Sequence, residues 1–450
     1  MPQKHKQNII YQAFRVYLRF FHDKIFYRKV HLIGTENIPA EGAPLLIACN
    51  HQNCLNDPLA IVMSFHDRKP RILVRADVFE YNSLTRTFLS SIGLLPAFRM
   101  NYEGEESLSK NESTFSKTEQ SLIDGNTIII FPEAKHQDKR WLGSFSSGFT
   151  KIAFDAAKRD NFKTDVQILP TCNHYSNYYG IQNEVILKFG KPISIAPYYE
   201  LYKTKPRTAQ RQVIELVHKQ IDELMLNITD LDNYKAFDCL RAIASRRFAT
   251  ANNLNPDYFP DMLESDKLMF AKLEQAKAAN NYAVQYLYDD TLKYNEQLQE
   301  NKITDTEVEH TPTTSHIVAD IVALVVLLPV WIVSLWPNVL IYNASDIFMR
   351  KIKDKMFEGT IRYSLSVLLT IPLLYILTFC LATKYVGWLF ATFYLCMLPA
   401  LAVFAINYWN FVKRTVRRIR YCRVGTVGRD KLSALRNNII DRLLQITNQD

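Results

Sequence analysis

The chain has 450 residues and a formal charge of +9, from 54 basic and 45 acidic side chains, which suits anionic partners such as a membrane surface or a phosphorylated substrate. That length allows two or three domains with a sizeable core, while 13 scattered glycines and no internal repeat exclude collagen-like and solenoid forms. Seven cysteines without a Cys-x-x-Cys pair exclude a disulfide framework and a zinc site, so they read as reduced, mostly buried hydrophobes and no metal is implied.

The first segment, 1–29, reads as a basic amphipathic helix. Ile9, Ile10, Ala13, Phe14, Tyr17, Phe20 and Phe21 recur at helical spacing, interrupted by Arg15, Arg19 and Lys24, and no small-residue cleavage site follows. Such a helix either lies in a lipid headgroup layer or packs against the domain after it. Residues 30–200 alternate short apolar runs (44–49, 71–74, 127–131, 167–171 and 185–189) with helical stretches at 112–124 and 147–159. That alternation predicts an α/β domain on a largely buried sheet.

Strand signals vanish over 201–302, where helical periodicity at 207–226, 234–248 and 265–299 predicts a mainly helical extension. Residues 303–315, acidic and threonine-rich with Pro312, read as a linker. The segment 316–412 reads as a C-terminal α-helical membrane module, because 317–342, 364–383 and 386–409 are each long enough to meet a hydrocarbon core of about 30 Å. A basic cytoplasmic tail follows at 413–450. Arg350, Lys351, Lys353, Lys355 and Arg362 lie between the first two stretches; Lys413, Arg414, Arg417, Arg418 and Arg420 follow the third. The positive-inside rule puts both clusters in the cytoplasm. Three simple crossings from a cytoplasmic catalytic domain would put both outside. A re-entrant or in-plane first stretch, interrupted by Asp320, Pro329 and Pro337, removes the conflict, followed by a two-helix hairpin with its tip near Lys384.

Four segments carry chemistry. Asn50-His51-Gln52-Asn53-Cys54-Leu55-Asn56-Asp57-Pro58 follows an apolar run, which places His51 at a strand end with a carboxylate close by. An imidazole takes a proton near neutral pH, and a neighbouring carboxylate holds its tautomer and stabilises the imidazolium. Gly93-Leu94-Leu95-Pro96-Ala97-Phe98-Arg99 is an apolar turn ending in a guanidinium suited to a phosphate ester. Phe131-Pro132-Glu133-Ala134-Lys135-His136 follows a strand-like run, and its Glu133 either holds a substrate hydroxyl or anchors a loop; Lys135, Lys139 and Arg140 add positive charge. Ile168-Leu169-Pro170-Thr171 is a further strand end. His136, His174 and Cys54 read as structural groups rather than catalytic ones, and no Gly-x-x-x-x-Gly-Lys-Ser/Thr run supports a nucleotide phosphate loop.

In this order and at these separations, the four segments resemble the glycerophospholipid acyltransferase family (PlsC-like) over about residues 30–195, with Leu187-Lys188-Phe189-Gly190-Lys191-Pro192-Ile193 also typical. The resemblance implies an α/β acyltransferase domain in which His51 activates a glycerol hydroxyl and Asp57 supports it. Gly93, Pro96, Arg99, Pro132, Glu133 and Lys135 would belong to the acceptor site, and Pro170 would shape the acyl-donor side. Two departures stand out. Five residues instead of the usual four separate His from Asp, with Asn56 at the common Asp position, and Ala134 replaces the usual glycine after Phe-Pro-Glu. The wider spacing, the hydrophobic C-terminal module and Lys135 to Arg140 resemble a fungal-type subgroup acylating glycerol 3-phosphate or dihydroxyacetone phosphate.

The expected function is membrane O-acyl transfer in phospholipid biosynthesis, from acyl-CoA or acyl carrier protein to glycerol 3-phosphate, towards lysophosphatidic and phosphatidic acid. No cofactor beyond the acyl thioester co-substrate is implied. The expected partners are a phospholipid membrane, the acceptor and the donor, with no nucleic acid, and the catalytic domain faces the cytoplasm. Two alternatives stay open: a 1-acylglycerol-3-phosphate O-acyltransferase, and a catalytically inactive membrane scaffold or lipid-binding protein of the same fold.

Overall fold

The computed structural model describes residues 9–65, 68–75, 94–97, 104–133, 139–350 and 357–448. The chain divides into two compact units, Met1–Met225 with Phe348–Tyr363, and Leu226–Ile347 with Ser364–Asp450.

The first unit begins with α1 (Ile9–Phe21), continued by a π-type turn over His22–Phe26. Both alternatives for this helix leave a trace. Phe21, Ile25 and Phe26 are buried, and Arg15 donates to the Arg68 carbonyl at 3.0 Å, whereas Val16 and Phe20, one turn apart, stay exposed. The sheet contains β1 (Tyr27–Ile33), β2 (Leu45–Cys49), β3 (Arg71–Arg75), β4 (Leu94–Ala97), β5 (Thr127–Ile130), β6 (Gln167–Tyr175), β7 (Asn183–Phe189) and β8 (Ile193–Ser194). Its order is β1-β7-β6-β2-β5-β3-β4, with β8 also on β6. Pairing is parallel except where β6 meets β7 and β8, so the sheet is mixed.

The five apolar runs became β2, β3, β5, β6 and β7. Three strands lie outside that pattern. β1, Tyr-Arg-Lys-Val-His-Leu-Ile, is an edge strand whose charged residues interrupt the apolar signal; β4 falls in a segment whose sequence reads as an apolar turn; and β8 is only two residues long. β2 shows why the domain holds together. All five of its side chains are buried between β5 and β6. Leu46 and Ala48 join a core with α3 (Gly104–Ile123), α4 (Gly148–Arg159) and α6 (Pro206–Leu224); Leu45, Ile47 and Cys49 join another that includes Ile61 of α2 (Asn56–Ser64). Alternation along one strand thus feeds both faces of the sheet. After a short α5 (Tyr199–Thr204), α6 aligns Ala209, Val213, Val217 and Ile221 at four-residue intervals and buries all four on the first core. Residues 201–225, grouped with the helical extension by periodicity alone, therefore belong with the sheet.

The second unit contains α7 (Tyr234–Ala251), α8 (Phe259–Ala278), α9 (Ala283–Glu300), α10 (Asp305–Glu309), α11 (Thr314–Met349), α13 (Ile376–Tyr385), α14 (Trp388–Arg423) and α15 (Thr426–Thr447); α12 (Phe357–Leu365) enters it at Ser364. The expected linker holds α10, started by a reciprocal capping box between Thr304 and Glu307. The basic tail is helical too. Arg436 pairs with Asp305 at 2.8 Å and Arg442 with Asp290 at 2.7 Å.

Two described helices, Thr314–Val339 and Trp388–Arg423, are long and apolar enough to cross a membrane by length and composition. The expected middle stretch is shorter as an apolar helix, Pro372–Tyr385, whose start overlaps π-type turns over Ser366–Tyr375. α11 runs on through Pro329 and Pro337. Pro337 cannot donate to the Val333 carbonyl four residues back, and the Tyr394 hydroxyl donates to it instead at 2.8 Å. Asp320, out of place in an apolar run, pairs with Arg418 at 2.6 Å.

Candidate active site

The end of β2 and the start of α2 place His51 and Asp57 together. His51 Nδ1 and Asp57 Oδ2 lie 2.8 Å apart. The same oxygen accepts the backbone N–H groups of Gln52 at 2.8 Å and Asn53 at 2.7 Å. On the other oxygen, Oδ1, Asp57 accepts the Tyr175 hydroxyl at 2.7 Å and Asn173 Nδ2 at 3.3 Å. Asp57 is fully buried in the first turn of α2, where the N-terminal end of the helix also favours a negative charge. These donors fill the acceptor positions of both carboxylate oxygens and fix the orientation of the side chain.

With Nδ1–H given to Asp57, the remaining lone pair of the imidazole sits on Nε2, the atom suited to accept an alcohol proton. The ring stacks on Phe131 at 4.3 Å between centroids. Its side chain keeps 19% of its surface exposed, whereas Asp57 keeps none. A buried carboxylate behind a partly open imidazole is the geometry of a general base.

The five-residue spacing has a local explanation. Cys54 takes φ +41°, a left-handed conformation that absorbs the longer loop, and α2 then starts at Asn56. Asn56 is buried and turns its Nδ2 towards Asn53 Oδ1 at 3.4 Å, so Asp57 and not Asn56 meets the histidine. Cys49, at the end of β2, is buried, and its thiol pKa is pushed well above the ordinary value by that burial, which suits a packing residue.

Glu133, on the turn after β5, ties the loop in place. One of its oxygens accepts the His51 N–H and the other accepts the Gly143 N–H, both at 2.9 Å. Both carboxylate oxygens thus serve the backbone, which is the loop-anchoring alternative for this residue. Burial raises the Glu133 pKa, with the two backbone hydrogen bonds pulling the other way. A side chain at Gly143 would put Cβ 3.0 Å from Glu133 Oε2. Pro132 is buried beside it, and its carbonyl accepts the Ser146 N–H at 2.9 Å.

Pro170 is buried in β6 opposite Ala48, and its carbonyl accepts the Gly190 N–H at 2.8 Å. The side chains of β6 that reach the His51–Asp57 pair lie further on, at Asn173 and Tyr175. Asn173 and Asn50 also bond reciprocally, N–H to Oδ1 at 2.8 Å and Nδ2 to the carbonyl at 3.1 Å. Gln52 is held by the Tyr178 hydroxyl at 2.9 Å and by the Lys139 carbonyl at 2.9 Å. Arg140, buried, donates to the Tyr175 carbonyl at 3.3 Å and lies over the Tyr178 ring at 5.3 Å. Sequence reasoning did not single out Asn173, Tyr175 or Tyr178. The signal was the period of two that puts 173 and 175 on one face of an extended strand running past the predicted end at 171.

Gly93, Arg99 and Lys135 lie outside the described residues. Of Pro96 the structure describes the backbone, opposite Val74 in the pairing of β4 with β3.

Residues 29–174 match the model of the Acyltransferase family. The chain is 24% identical over 197 residues to an uncharacterized acyltransferase of Schizosaccharomyces pombe, covering 43% of this chain and 28% of that protein. It is 24% identical over 159 residues to glycerol-3-phosphate O-acyltransferase 2 of Saccharomyces cerevisiae, covering 35% and 21%. It is 25% identical over 130 residues to a probable 1-acyl-sn-glycerol-3-phosphate acyltransferase of Mycoplasma pneumoniae, covering 28% and 46%. The chain thus spans less than half the length of each of these relatives. Among solved structures, the 1-acyl-sn-glycerophosphate acyltransferase PlsC from Thermotoga maritima is similar at 15% identity and a TM-score of 0.34, covering 48% of this chain and 79% of that one. Over residues 29–174, with the His51–Asp57 pair at its heart, this chain carries a domain of the acyltransferase family.

Proposed function

We propose that this chain is a membrane-associated glycerophospholipid acyltransferase that moves a fatty acyl group from an acyl thioester to glycerol 3-phosphate. The observation that carries the reading is His51, partly exposed and held through Nδ1 by a buried Asp57, inside a domain of acyltransferase type. His51 takes the proton of the acceptor hydroxyl as its oxygen attacks the thioester carbonyl and a C–O bond forms. The tetrahedral intermediate collapses, the C–S bond breaks, and the imidazolium returns its proton to the departing thiolate. Asp57 stabilises the imidazolium between the two steps. The proposal assigns the acceptor phosphate to Arg99 and Lys135, with Gly93, Pro96 and Pro132 shaping the same site, and the acyl-donor side to Pro170. Glu133 acts on the acceptor side through the loop that it anchors.

The membrane reading draws support from the two long apolar helices and their exposed faces, such as Val318, Val322, Val325 and Val326. A re-entrant or in-plane first stretch draws support from Phe348–Tyr363, which folds into the acyltransferase unit and so shares whichever membrane face that unit occupies, here proposed as the cytoplasmic one. A second reading, acylation of 1-acylglycerol 3-phosphate, is favoured by the Mycoplasma relative's name. Purified chain offered labelled glycerol 3-phosphate or labelled lysophosphatidate, each with acyl-CoA and with acyl carrier protein, separates the two. Turnover of glycerol 3-phosphate supports the first reading and turnover of lysophosphatidate alone supports the second. Turnover of neither, with equal activity in H51A and wild type, removes both.

A further inference from the structure

The His51–Asp57 loop touches a segment that lies 305 positions away in sequence. Thr360 Oγ1 accepts the Leu55 N–H at 3.1 Å, between the left-handed Cys54 and the first turn of α2. Neighbouring amides are held within the loop: Gln52 and Asn53 donate to Asp57, and Asn56 donates to the Asn53 carbonyl at 2.8 Å. One residue earlier, Gly359 is buried so closely that a Cβ there would stand 2.7 Å from the Tyr178 carbonyl oxygen, 3.1 Å from Asn53 Oδ1 and 3.2 Å from Asn56 Nδ2. Tyr178 in turn holds Gln52 and accepts Asn53 Nδ2 at 3.1 Å. One turn later, Tyr363 is 2% exposed, with its ring edge-on to Phe21 at 5.4 Å and to Phe26 at 4.8 Å. An ion pair between Arg362 and Glu358 at 3.0 Å closes the turn.

We propose that this segment is a strap: Tyr363 anchors it beneath α1, Gly359 allows close approach, and Thr360 is a positioning residue that holds the His51–Asp57 loop in its reactive shape. The inference rests on His51 being the general base. It goes further in making the catalytic loop depend on the chain that joins two apolar stretches. Two features point to positioning rather than to general packing. The contacts converge on the backbone of a loop with a strained residue, and a strained loop keeps its shape only where its surroundings over-determine it. The hydrogen bond also falls on the N–H just before the turn that presents Asp57.

The test uses full-length T360V, T360S and G359A proteins beside wild type. The readouts are amide hydrogen exchange over residues 51–56, kcat and KM for the acceptor, and the pH profile of kcat/KM. T360V keeps the volume and removes the acceptor, so the Leu55 amide exchanges at least tenfold faster. Its kcat falls about tenfold with KM within twofold, and the acid side of the pH profile moves, while T360S restores all three. G359A gives the same pattern through its clash with the Tyr178 carbonyl, and it serves if T360V does not fold. Wild-type exchange and kcat in both T360V and G359A overturn the strap, and so does a T360S protein as impaired as T360V. Exchange reads the strap without turnover: a wild type inactive on both acceptors counts against the proposed function, and the exchange result still decides the strap.

Discussion

Asp57 takes donors on both oxygens, from His51, Gln52 and Asn53 on one and from Tyr175 and Asn173 on the other. Such a residue tolerates no neutral stand-in, because an amide presents an N–H where an acceptor is required. D57N is expected to lower kcat about 10³-fold while the protein still folds, measured by acyl transfer from labelled thioester. Adding N56D to that variant restores nothing, since Asn56 faces Asn53 and not the imidazole; recovery in the double variant would move the carboxylate role to position 56. Y175F removes a hydrogen bond to a charged acceptor and is expected to cost about 1.5–3 kcal/mol of stability in denaturant titrations. The histidine and its carboxylate were legible as a spacing of residue types. The tyrosine and asparagine behind them were not, because they arrive from β6, more than a hundred positions away.

Elements act here through their ends. β2 is apolar on both faces because it lies inside a sheet covered on both sides, so its end carries His51 on a rigid support. L46A, in the fully buried part of β2, is expected to cost about 3 kcal/mol by thermal or chemical unfolding, the usual scale for a core leucine. The turn after β5 carries Glu133, which joins the His51 N–H to the Gly143 N–H. E133Q keeps one acceptor oxygen and turns an amide NH₂ towards the other donor. The expected result is a loss of about 1–3 kcal/mol and at least a tenfold drop in kcat, checked by the same unfolding and transfer assays. Apolar runs announced β2 and β5. β1 escapes that signal because charged residues interrupt it, and periodicity alone groups α6 with the later helices because it names an element without saying what covers it.

At the scale of the whole molecule, a charge placed in an apolar helix is met by an opposite charge from far along the chain. Asp320 and Arg418 form a largely buried ion pair, so R418A is expected to destabilise the protein by about 2–3 kcal/mol. The double variant D320N/R418A should recover more than half of that loss, read by thermal unfolding in detergent. pH acts at the same scale. Burial holds the Tyr27 and Tyr175 pKa values well above 10, with the Asp57 charge adding to both. A raised folded-state pKa means that the unfolded chain gives up these protons first. Their contribution is therefore complete below about pH 10 and is lost above it, at about 1.4 kcal/mol per pH unit for each group. Y175F should make the alkaline fall in unfolding free energy shallower, and an unchanged slope would count against it.

Sequence by itself determined the acyltransferase type of the domain, the pairing of His51 with Asp57 as the only carboxylate at hand, and the apolar character of 316–412. All of these are set by residue type and local spacing, which folding does not alter. Only the tertiary structure decided that Glu133 anchors a backbone, that Asn173 and Tyr175 stand behind Asp57, and that α6 belongs with the sheet. The same holds for the segment from 357 to 363, which reaches the loop between His51 and Asp57. Hydrogen bonds and close contacts depend on distance in space, and a chain of 450 residues places such partners anywhere along its length.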